Sequence, residues 1–352
     1  MSLHDRLLDT LKSVASVSLV ACLRDDRLNL PGPSDLRVFI PDLHLITAAR
    51  RADAHFLYGT NWLKDPDLLG NTVRALRGFK LSAQPGESVT VYQIGDLLDL
   101  WREADGPNPN ADVASAIEDD HAALMQAFYD DALNVQFLLG NHDYDLYRFT
   151  DYAAWGRSYQ LSPSVLLLHG DIFDWVEHLP EAINHFFVYL FSAKVKPANN
   201  DLERMRPYNE QMRGGNQFRN FIQNQAAAPV GTPGHADEVA LAAGAAGDRY
   251  RFNIQVKGDA APGMLTFLDA AQSKCAAANA QFGTAYKVAV IGHTHHARIA
   301  LSKAGDDVFA LIDCGAWIEN CISEDSPNPQ PNAQIAALGG NEARIYQLAP
   351  LP

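Results

Sequence analysis

The feature of this 352-residue chain that most constrains its fold is a set of five short polar motifs, each of which follows an apolar stretch. The apolar stretches are typical of β-strands and run from Leu36 to Ile40, Val89 to Ile94, Val135 to Leu139, Val165 to Leu168 and Val288 to Ile291. The motifs that follow them are Asp42-Leu43-His44, Gly95-Asp96-Leu97-Leu98-Asp99, Gly140-Asn141-His142-Asp143, His169-Gly170-Asp171 and Gly292-His293-Thr294-His295. In an α/β fold, the carboxyl ends of several strands build one active site. We therefore expect all five motifs to meet in a single site.

The spacing of the motifs also predicts the domain organisation. Because they extend from Asp42 to His295, we predict one catalytic unit, although the length would allow two domains. We expect an N-terminal helical extension over residues 1–34, a core over 35–175 and 285–352, and an inserted, mostly helical cap over 176–284. Alternating strands and helices predict an α/β fold in which two sheets form a sandwich flanked by helices.

Individual elements outside the motifs are predicted from periodicity and from residues that break it. Helices are expected over 65–79, 111–132, 180–195, 201–212, 217–227 and 264–280. Strands over 297–301, 308–313 and 344–348 are expected to complete the second sheet. The proline-rich stretch over 326–332 predicts a surface loop.

The charge and the cysteines restrict the partners and the compartment. A formal net charge of −14 makes nucleic acid an unlikely partner, because phosphate contacts need clustered Lys and Arg. Bound divalent cations would reverse this sign locally, so a phosphorylated substrate is compatible with it. The four cysteines lack metal-binding or disulfide spacing, which predicts reduced thiols in a cytoplasmic protein. The alternative is an exported lipoprotein processed at Cys22, and no stretch is long enough for a transmembrane segment.

Two pairs of residues have the spacing of metal ligands. Asp42 and His44 are two residues apart after a strand, a spacing that directs both side chains to the same face. His293 and His295 repeat this geometry near the other end of the chain. Asp96 follows a strand and a glycine that permits a tight turn, so we predict that its carboxylate bridges two metal ions.

Two further residues complete the predicted ligand set. Asn141 offers an amide oxygen and His169 an imidazole nitrogen, which brings the number of protein ligands to seven. These oxygen and nitrogen donors, with no thiolate, suit manganese, iron or zinc. We therefore predict two divalent metal ions as cofactors.

The remaining polar residues of the motifs suggest a mechanism. Two cations about 3.5–4 Å apart share a water, lower its pKa and stabilise the oxygens of a phosphorus centre during in-line displacement. We predict that His142, oriented by Asp143, protonates the leaving alcohol, a role typically worth about 10²- to 10⁴-fold. Asp99 and Asp171 are expected to accept hydrogen bonds from ligand imidazoles, an effect of about 10- to 100-fold.

The ordered motifs D-x-H, G-D-x-x-D, G-N-H-D, H and G-H-x-H resemble those of the calcineurin-like metallophosphoesterases from about Arg37 to Ala297, with the intervening cap excepted. The resemblance implies a two-metal phosphoesterase, with His142 at the position of the family's acid. It implies one metal bound by Asp42, His44, Asp96 and His295, and a second bound by Asp96, Asn141, His169 and His293.

Within that family, the wording of the motifs is nearest to the UDP-2,3-diacylglucosamine hydrolase branch. The similar stretches are residues 40–45, 92–101, 167–171 and 292–295. That branch also has a helical cap after its His-Gly-Asp motif. It usually carries arginine at the position of His142, and its cap is shorter. The resemblance therefore implies a relative of that branch with its own substrate.

The leading functional prediction is hydrolysis of a phosphodiester or pyrophosphate bond in a phosphorylated small-molecule or nucleotide-linked substrate. A diester leaving group benefits from the acid at His142, and a cap suits a bulky substrate. The alternatives are a phosphomonoesterase, including a protein phosphatase, a non-catalytic scaffold with the same fold, and a metal-dependent nuclease. Substrate contacts are predicted for Arg204, Arg206 and Arg213 in the cap and for His296 beside the ligands, while the arginines could instead form a solvated helix face.

Overall fold

A computed structural model of the chain describes its secondary structure and contacts. It describes residues 1–52, 62–63, 65–103, 111–173, 251–252, 254–256, 266–304, 307–318, 321–323, 326–330 and 333–352. The α-helices in these ranges are α1 Leu3–Lys12, α2 Ala48–Ala52, α3 Pro66–Leu81, α4 Leu100–Glu103, α5 Ala111–Asp120, α6 Ala122–Phe128 and α7 Thr266–Phe282. The strands are β1 Ser16–Arg24, β2 Asp35–Ile40, β3 Ser88–Ile94, β4 Gln136–Leu138, β5 Ser158–Ser162, β6 Val165–Leu168, β7 Arg251–Phe252, β8 Ile254–Val256, β9 Val288–Ile291, β10 Ala297–Ala304, β11 Asp307–Cys314, β12 Cys321–Ser323, β13 Ser326–Gln330, β14 Gln334–Gly339 and β15 Glu342–Ala349.

Two mixed sheets form the centre of the described fold. The larger has the strand order β4-β3-β2-β14-β15-β1-β7, and the smaller has the order β5-β6-β9-β11-β10-β8. The neighbours β2, β3 and β4 are parallel, and so are β6, β9 and β11. All five predicted motifs therefore follow the carboxyl ends of parallel strands. Three of these strands, β2, β3 and β4, lie in the larger sheet, and two, β6 and β9, lie in the smaller.

Three clusters of buried side chains give the fold a layered organisation. Residues of both sheets, such as Phe39 and Val290, form one cluster in the interior of the sandwich. The other face of the larger sheet packs against α1, α3, α5 and α6. The other face of the smaller sheet packs against Leu268, Ala271 and Cys275 of α7. The predicted α/β architecture with two sheets and flanking helices is confirmed at this level.

The N-terminal range 1–34 differs in part from the predicted helical extension. Ser2 caps α1, and Leu3, Leu7 and Leu11 of that helix are buried in the core. The apolar stretch after α1 is β1, which pairs with β15 along its length and so belongs to the larger sheet. Cys22, the residue of the lipoprotein alternative, is a buried residue of β1.

Three other predictions require correction. The expected helix over 111–132 is divided into α5 and α6 at His121. The expected strand 344–348 is part of β15. It belongs to the larger sheet and not to the second one, because β15 pairs with β14 and β14 pairs with β2. The expected loop over 326–332 contains β13, which pairs with β12 among the described residues. Proline is tolerated at the edge of a sheet, where its missing N–H breaks no ladder bond.

The described parts of the predicted cap belong to the sandwich. Residues 251–252 and 254–256 extend the larger and the smaller sheet respectively, and α7 covers the smaller sheet. The predicted helices 180–195, 201–212 and 217–227 lie outside the described residues. In the described part of the chain, no helix combines the length and the apolar character needed to cross a membrane.

Candidate metal centre

The five motifs meet where the two sheets face each other at the carboxyl ends of their parallel strands. The backbone N–H groups of Leu43 and His44 both donate to the carbonyl of Asp96, at 3.0 and 2.9 Å. On the smaller sheet, the N–H of Gly292 donates to the carbonyl of His169 at 2.8 Å. Backbone hydrogen bonds between loops thus hold the motifs of each sheet together.

One group of potential ligands consists of Asp42, His44 and His295, whose donor atoms lie close enough together to hold a metal ion. His295 Nε2 is 3.2 Å from Asp42 Oδ2 and 3.0 Å from His44 Nε2. Asp96 is adjacent, because its Oδ2 is 3.6 Å from His44 Nε2. These four residues are the set that the resemblance implies for one metal.

A second group consists of Asp96, His169 and His293, which also lie close enough together to hold a metal ion. His169 Nε2 is 3.3 Å from Asp96 Oδ2. Asn141 completes this group, because its Oδ1 is 3.1 Å from His169 Nε2 and 3.0 Å from His293 Nδ1. The structure therefore brings all seven predicted ligands together, with Asp96 between the two groups.

The orientation of two imidazoles is set by the nitrogen that points away from the centre. His44 Nδ1 bonds to Asp99 Oδ2 at 3.1 Å, and His169 Nδ1 bonds to the carbonyl of Ile94 at 2.9 Å. Because both partners are acceptors, each Nδ1 carries the hydrogen in the neutral ring. Each Nε2 then presents a lone pair toward carboxylate or amide oxygens, an arrangement that a cation between them would stabilise.

Asp99 has a second contact that the sequence analysis did not anticipate. Its Oδ1 accepts a hydrogen bond from His142 Nδ1 at 3.0 Å, so this one carboxylate orients both His44 and His142. The Asp99 side chain is fully buried, whereas that of His142 is 21% exposed to solvent. The backbone N–H of His142 also donates to Asp96 Oδ1 at 2.8 Å.

Asp143 does not orient His142, contrary to the prediction. Its carboxylate is completely buried and accepts hydrogen bonds from the backbone N–H groups of Leu97 and Gly140, at 2.8 and 2.6 Å. Both oxygens are thus directed away from the neighbouring imidazole. Asp143 instead joins the loop of Asp96 to the loop of Asn141.

Asp171 also differs from its predicted role. Its Oδ2 accepts a hydrogen bond from Arg157 at 2.8 Å. The preceding residue, Gly170, has φ +121° and turns the chain between His169 and Asp171. Arg157 in turn donates to the carbonyls of Leu139 and Gly140, both at 3.3 Å. The ion pair therefore connects the His169 loop to the Asn141 loop. Arg157 was missed because no motif surrounds it in the sequence.

The backbone at the centre is strained. His44, Asp96, His293 and His295 have φ values of 48°, 51°, 65° and 60°, in the left-handed region that non-glycine residues adopt uncommonly, Asn, Asp and His more often than the rest. Such a conformation costs about 1–2 kcal/mol per residue. Residues held in strained conformations cluster at functional sites, where the surrounding structure maintains them. Four of the predicted ligands share this property.

Glycines permit the close approach of the loops. Gly95 has φ +98°, and a Cβ atom there would lie 2.5 Å from His169 Nδ1. A Cβ on Gly292 would collide with the carboxylate of Asp42. The glycines of two motifs are therefore required by the packing of the potential ligands.

Burial and charge shift the pKa values at the centre in opposite directions. Burial lowers the pKa of His44 to about 4, against the opposing effect of Asp99. Burial alone would lower the pKa of His169, but Asp96 and Asp42 outweigh it and raise this pKa well above its ordinary value. Burial, with the charge of Asp96, raises the pKa of Asp143 to about 7. An excess of buried negative charge raises a histidine pKa and equally attracts a divalent cation.

The pKa of Asp96 and an unsatisfied oxygen of Asp42 also fit cation binding. Burial alone would raise the pKa of Asp96, but the imidazoles of His169 and His142 hold it well below its ordinary value. Asp42 Oδ1 is buried and has no hydrogen-bond partner among the described residues. Buried polar atoms are nearly always satisfied, so an orphaned carboxylate oxygen in this donor set is a natural metal ligand.

The remaining residues predicted from the sequence to contact substrate are His296 and three arginines. His296 is half-buried, and its backbone N–H donates to Thr294 Oγ1 at 3.2 Å. A residue outside the motifs, Trp317, is fully buried, and its backbone N–H donates to the carbonyl of Asp42 at 2.8 Å. Arg204, Arg206 and Arg213 lie outside the described residues.

Comparison with known proteins does not assign the chain to a family. No protein-family model matches this chain, and no curated protein matches it.

Proposed function

We propose that the chain is a dinuclear metal-dependent phosphohydrolase that cleaves a phosphodiester or pyrophosphate bond. The observation that carries the proposal is the convergence of seven carboxylate, imidazole and amide ligands in two adjacent groups, with Asp96 next to residues of both. Both groups combine oxygen and nitrogen donors, which suits manganese, iron or zinc. The resemblance of the motifs to calcineurin-like metallophosphoesterases leads to the same proposal.

In this proposal, the two groups hold one divalent cation each. When bound, such a pair activates water and stabilises the charge on the oxygens of a phosphorus centre. Asp96 contributes an oxygen to both groups, and its position is maintained by the hydrogen bond from the His142 N–H at 2.8 Å. Asp99 and the carbonyl of Ile94 keep His44 and His169 oriented for binding.

His142 is the proposed proton donor to the leaving group. Its ring is the accessible member of the Asp99–His142 pair, and Asp99 stabilises the charged imidazolium through the 3.0 Å hydrogen bond to Nδ1. The proton on Nε2 is then available to a leaving oxygen. Alkoxide leaving groups require such an acid more than nitrophenolate does, because their pKa values are higher.

The proposed class of substrate rests on the acid His142 and on the motif resemblance. A diester, or an anhydride attacked at an internal phosphorus, carries one negative charge fewer at that phosphorus than a monoester does. Phosphomonoesters, including phosphoproteins, are the alternative substrates. Both classes would use the same ligands, so the choice between them depends on measured activity.

The test compares manganese-dependent hydrolysis of bis(p-nitrophenyl) phosphate with that of p-nitrophenyl phosphate. We expect activity on the diester to exceed that on the monoester and to disappear on chelation. Asp96→Asn should remove activity and reduce the bound metal, because both groups lose a charged ligand. Asp67→Asn, an exposed change in the first turn of α3, is the matched control and should retain both.

Other outcomes would redirect or reject the proposal. A preference for the monoester would make phosphomonoesterase the assignment. Full manganese-dependent activity in Asp96→Asn would exclude Asp96 as the shared ligand. A wild-type protein that binds no divalent metal would reject the proposed chemistry altogether.

A further inference from the structure

Thr294 lies between two predicted ligands that belong to different metal groups. His293 belongs to the group of Asp96 and His169, and His295 belongs to the group of Asp42 and His44. Both flanking histidines have left-handed φ values, of 65° and 60°. The short segment is therefore strained on both sides of Thr294, and some other contact must maintain it.

The Thr294 side chain provides such a contact. Its Oγ1–H donates to Asp313 Oδ2 in a hydrogen bond of 2.5 Å. Thr294 Oγ1 also accepts a hydrogen bond from the backbone N–H of His296 at 3.2 Å. The backbone N–H of Thr294 also donates to the carbonyl of Gly292 at 2.7 Å. Thr294 thus connects both ends of the ligand turn to a residue of the neighbouring strand β11.

Asp313 is a rigid acceptor for this hydroxyl. It is completely buried near the carboxyl end of β11, opposite Arg298 in the antiparallel ladder with β10. Arg298 Nε donates to the same Oδ2 at 3.2 Å. The acceptor is therefore fixed by a sheet and an ion pair, which are independent of the metal ligands.

The backbone of the ligand turn has a further tether. The N–H of His293 donates to Asp42 Oδ2 at 2.9 Å, so the turn directly supports the carboxylate of the opposite motif. A shift of the turn would consequently move His293, His295 and the contact with Asp42 together.

We propose that Thr294 is a positioning residue that determines the affinity of both metal groups at once through its hydrogen bond to Asp313. This inference rests on the proposed function only in requiring that two divalent cations bind. Asp99, by contrast, hydrogen-bonds to His44, a ligand of the group of Asp42 and His295. Loss of the Thr294 hydroxyl should therefore weaken the binding of both cations. Loss of the Asp99 carboxylate should weaken chiefly the binding of one.

The test is a titration of chelated full-length protein with Mn²⁺, in which free Mn²⁺ is followed by electron paramagnetic resonance. Thr294→Val has nearly the shape of threonine but no hydroxyl, and we expect both dissociation constants to rise about 10- to 100-fold. Thr294→Ser keeps the hydroxyl and should restore both constants to within a few-fold of the wild-type values. Asp99→Asn should raise mainly the constant of the group that contains His44.

Thermal unfolding of the chelated proteins separates positioning from general destabilisation. If Thr294→Val does not fold, Thr294→Ala removes the same hydroxyl with a smaller side chain and takes its place in the titration. Equal affinities in wild type and Thr294→Val, or a loss confined to one cation, would overturn the inference while leaving the proposed function intact. A wild-type protein that binds fewer than two Mn²⁺ ions would overturn both.

Discussion

At the scale of single residues, the centre depends on a close approach that leaves no room for a side chain at Gly292. The loop of Gly292 passes so close to Asp42 that only a hydrogen atom fits between them. Asp42 Oδ1 is a buried oxygen without a hydrogen-bond partner among the described residues, so any displacement of this carboxylate moves a proposed metal ligand directly.

We predict that Gly292→Ala lowers the affinity for Mn²⁺ and the activity by about tenfold or more, because the new methyl group displaces the Asp42 carboxylate. Metal content and hydrolysis of the diester are the measurements. Gly78→Ala is the control: it lies inside α3 with open space around its Cα. There alanine should stabilise the protein by about 0.5–1 kcal/mol without changing either quantity. Unchanged metal affinity in Gly292→Ala would show that the Asp42 loop can move at no cost.

At the scale of elements, α1 is attached to the sheet by a buried histidine as well as by leucines. His4 Nε2 is 2.9 Å from the carbonyl of Gly339 and 3.3 Å from that of Glu342, at the turn between β14 and β15. Its Nδ1 is buried and has no hydrogen-bond partner among the described residues. A proton on Nδ1 would therefore be unsatisfied, and α1 packs best with a neutral ring.

This contact predicts a pH dependence of stability. Burial, together with Arg344, lowers the pKa of His4 below its ordinary value of about 6.5. The unfolded chain therefore binds more protons than the folded one below about pH 6.5, so the contribution of His4 is complete above that pH and is lost as the pH falls. His4→Gln, which keeps an N–H donor, should lose less stability than wild type between about pH 7 and 5 in urea unfolding of the chelated proteins. Equal losses of stability in wild type and His4→Gln would show that His4 does not titrate in this range.

At the scale of the whole molecule, the centre joins the two sheets of the sandwich. One group of ligands contains Asp42 and His44 from the larger sheet and His295 from the smaller, and the second is divided in the same way. A cation bound to either group would therefore connect the sheets as well as the loops. Removal of metal should affect global stability and not only activity.

We predict that two bound Mn²⁺ ions raise the Tm of the chelated protein by about 5–10 °C, because each ion at about 100 times its Kd stabilises the folded state by about 2.7 kcal/mol. Differential scanning calorimetry with and without Mn²⁺ measures this shift. Asp96→Asn should show a much smaller rise, and the exposed Asp67→Asn should equal wild type. A Tm that is the same with and without Mn²⁺ would contradict tight binding between the sheets.

Much of the fold follows from local patterns in the sequence. The strands β6 and β9 have the predicted bounds, and β2 and β3 each begin one residue before them, because short apolar runs bounded by turns indicate buried strands. The strand β1 was not predicted, since its alternating and weakly apolar sequence depends on pairing with β15 for its stability. The sheet to which β15 belongs was also predicted wrongly, because pairing partners far apart in sequence leave no local signal.

The candidate centre shows the same division between local and tertiary information. The amino-acid sequence by itself determined which residue types could bind cations, since the order of carboxylate, imidazole and amide groups after strands is a local property. Only the tertiary structure decided which hydrogen-bond partner each motif side chain uses: Asp99 rather than Asp143 for His142, Arg157 for Asp171, and Asp313 for Thr294. Hydrogen bonds between side chains depend on distances and directions across sheets and loops, and spacing along the chain does not specify these.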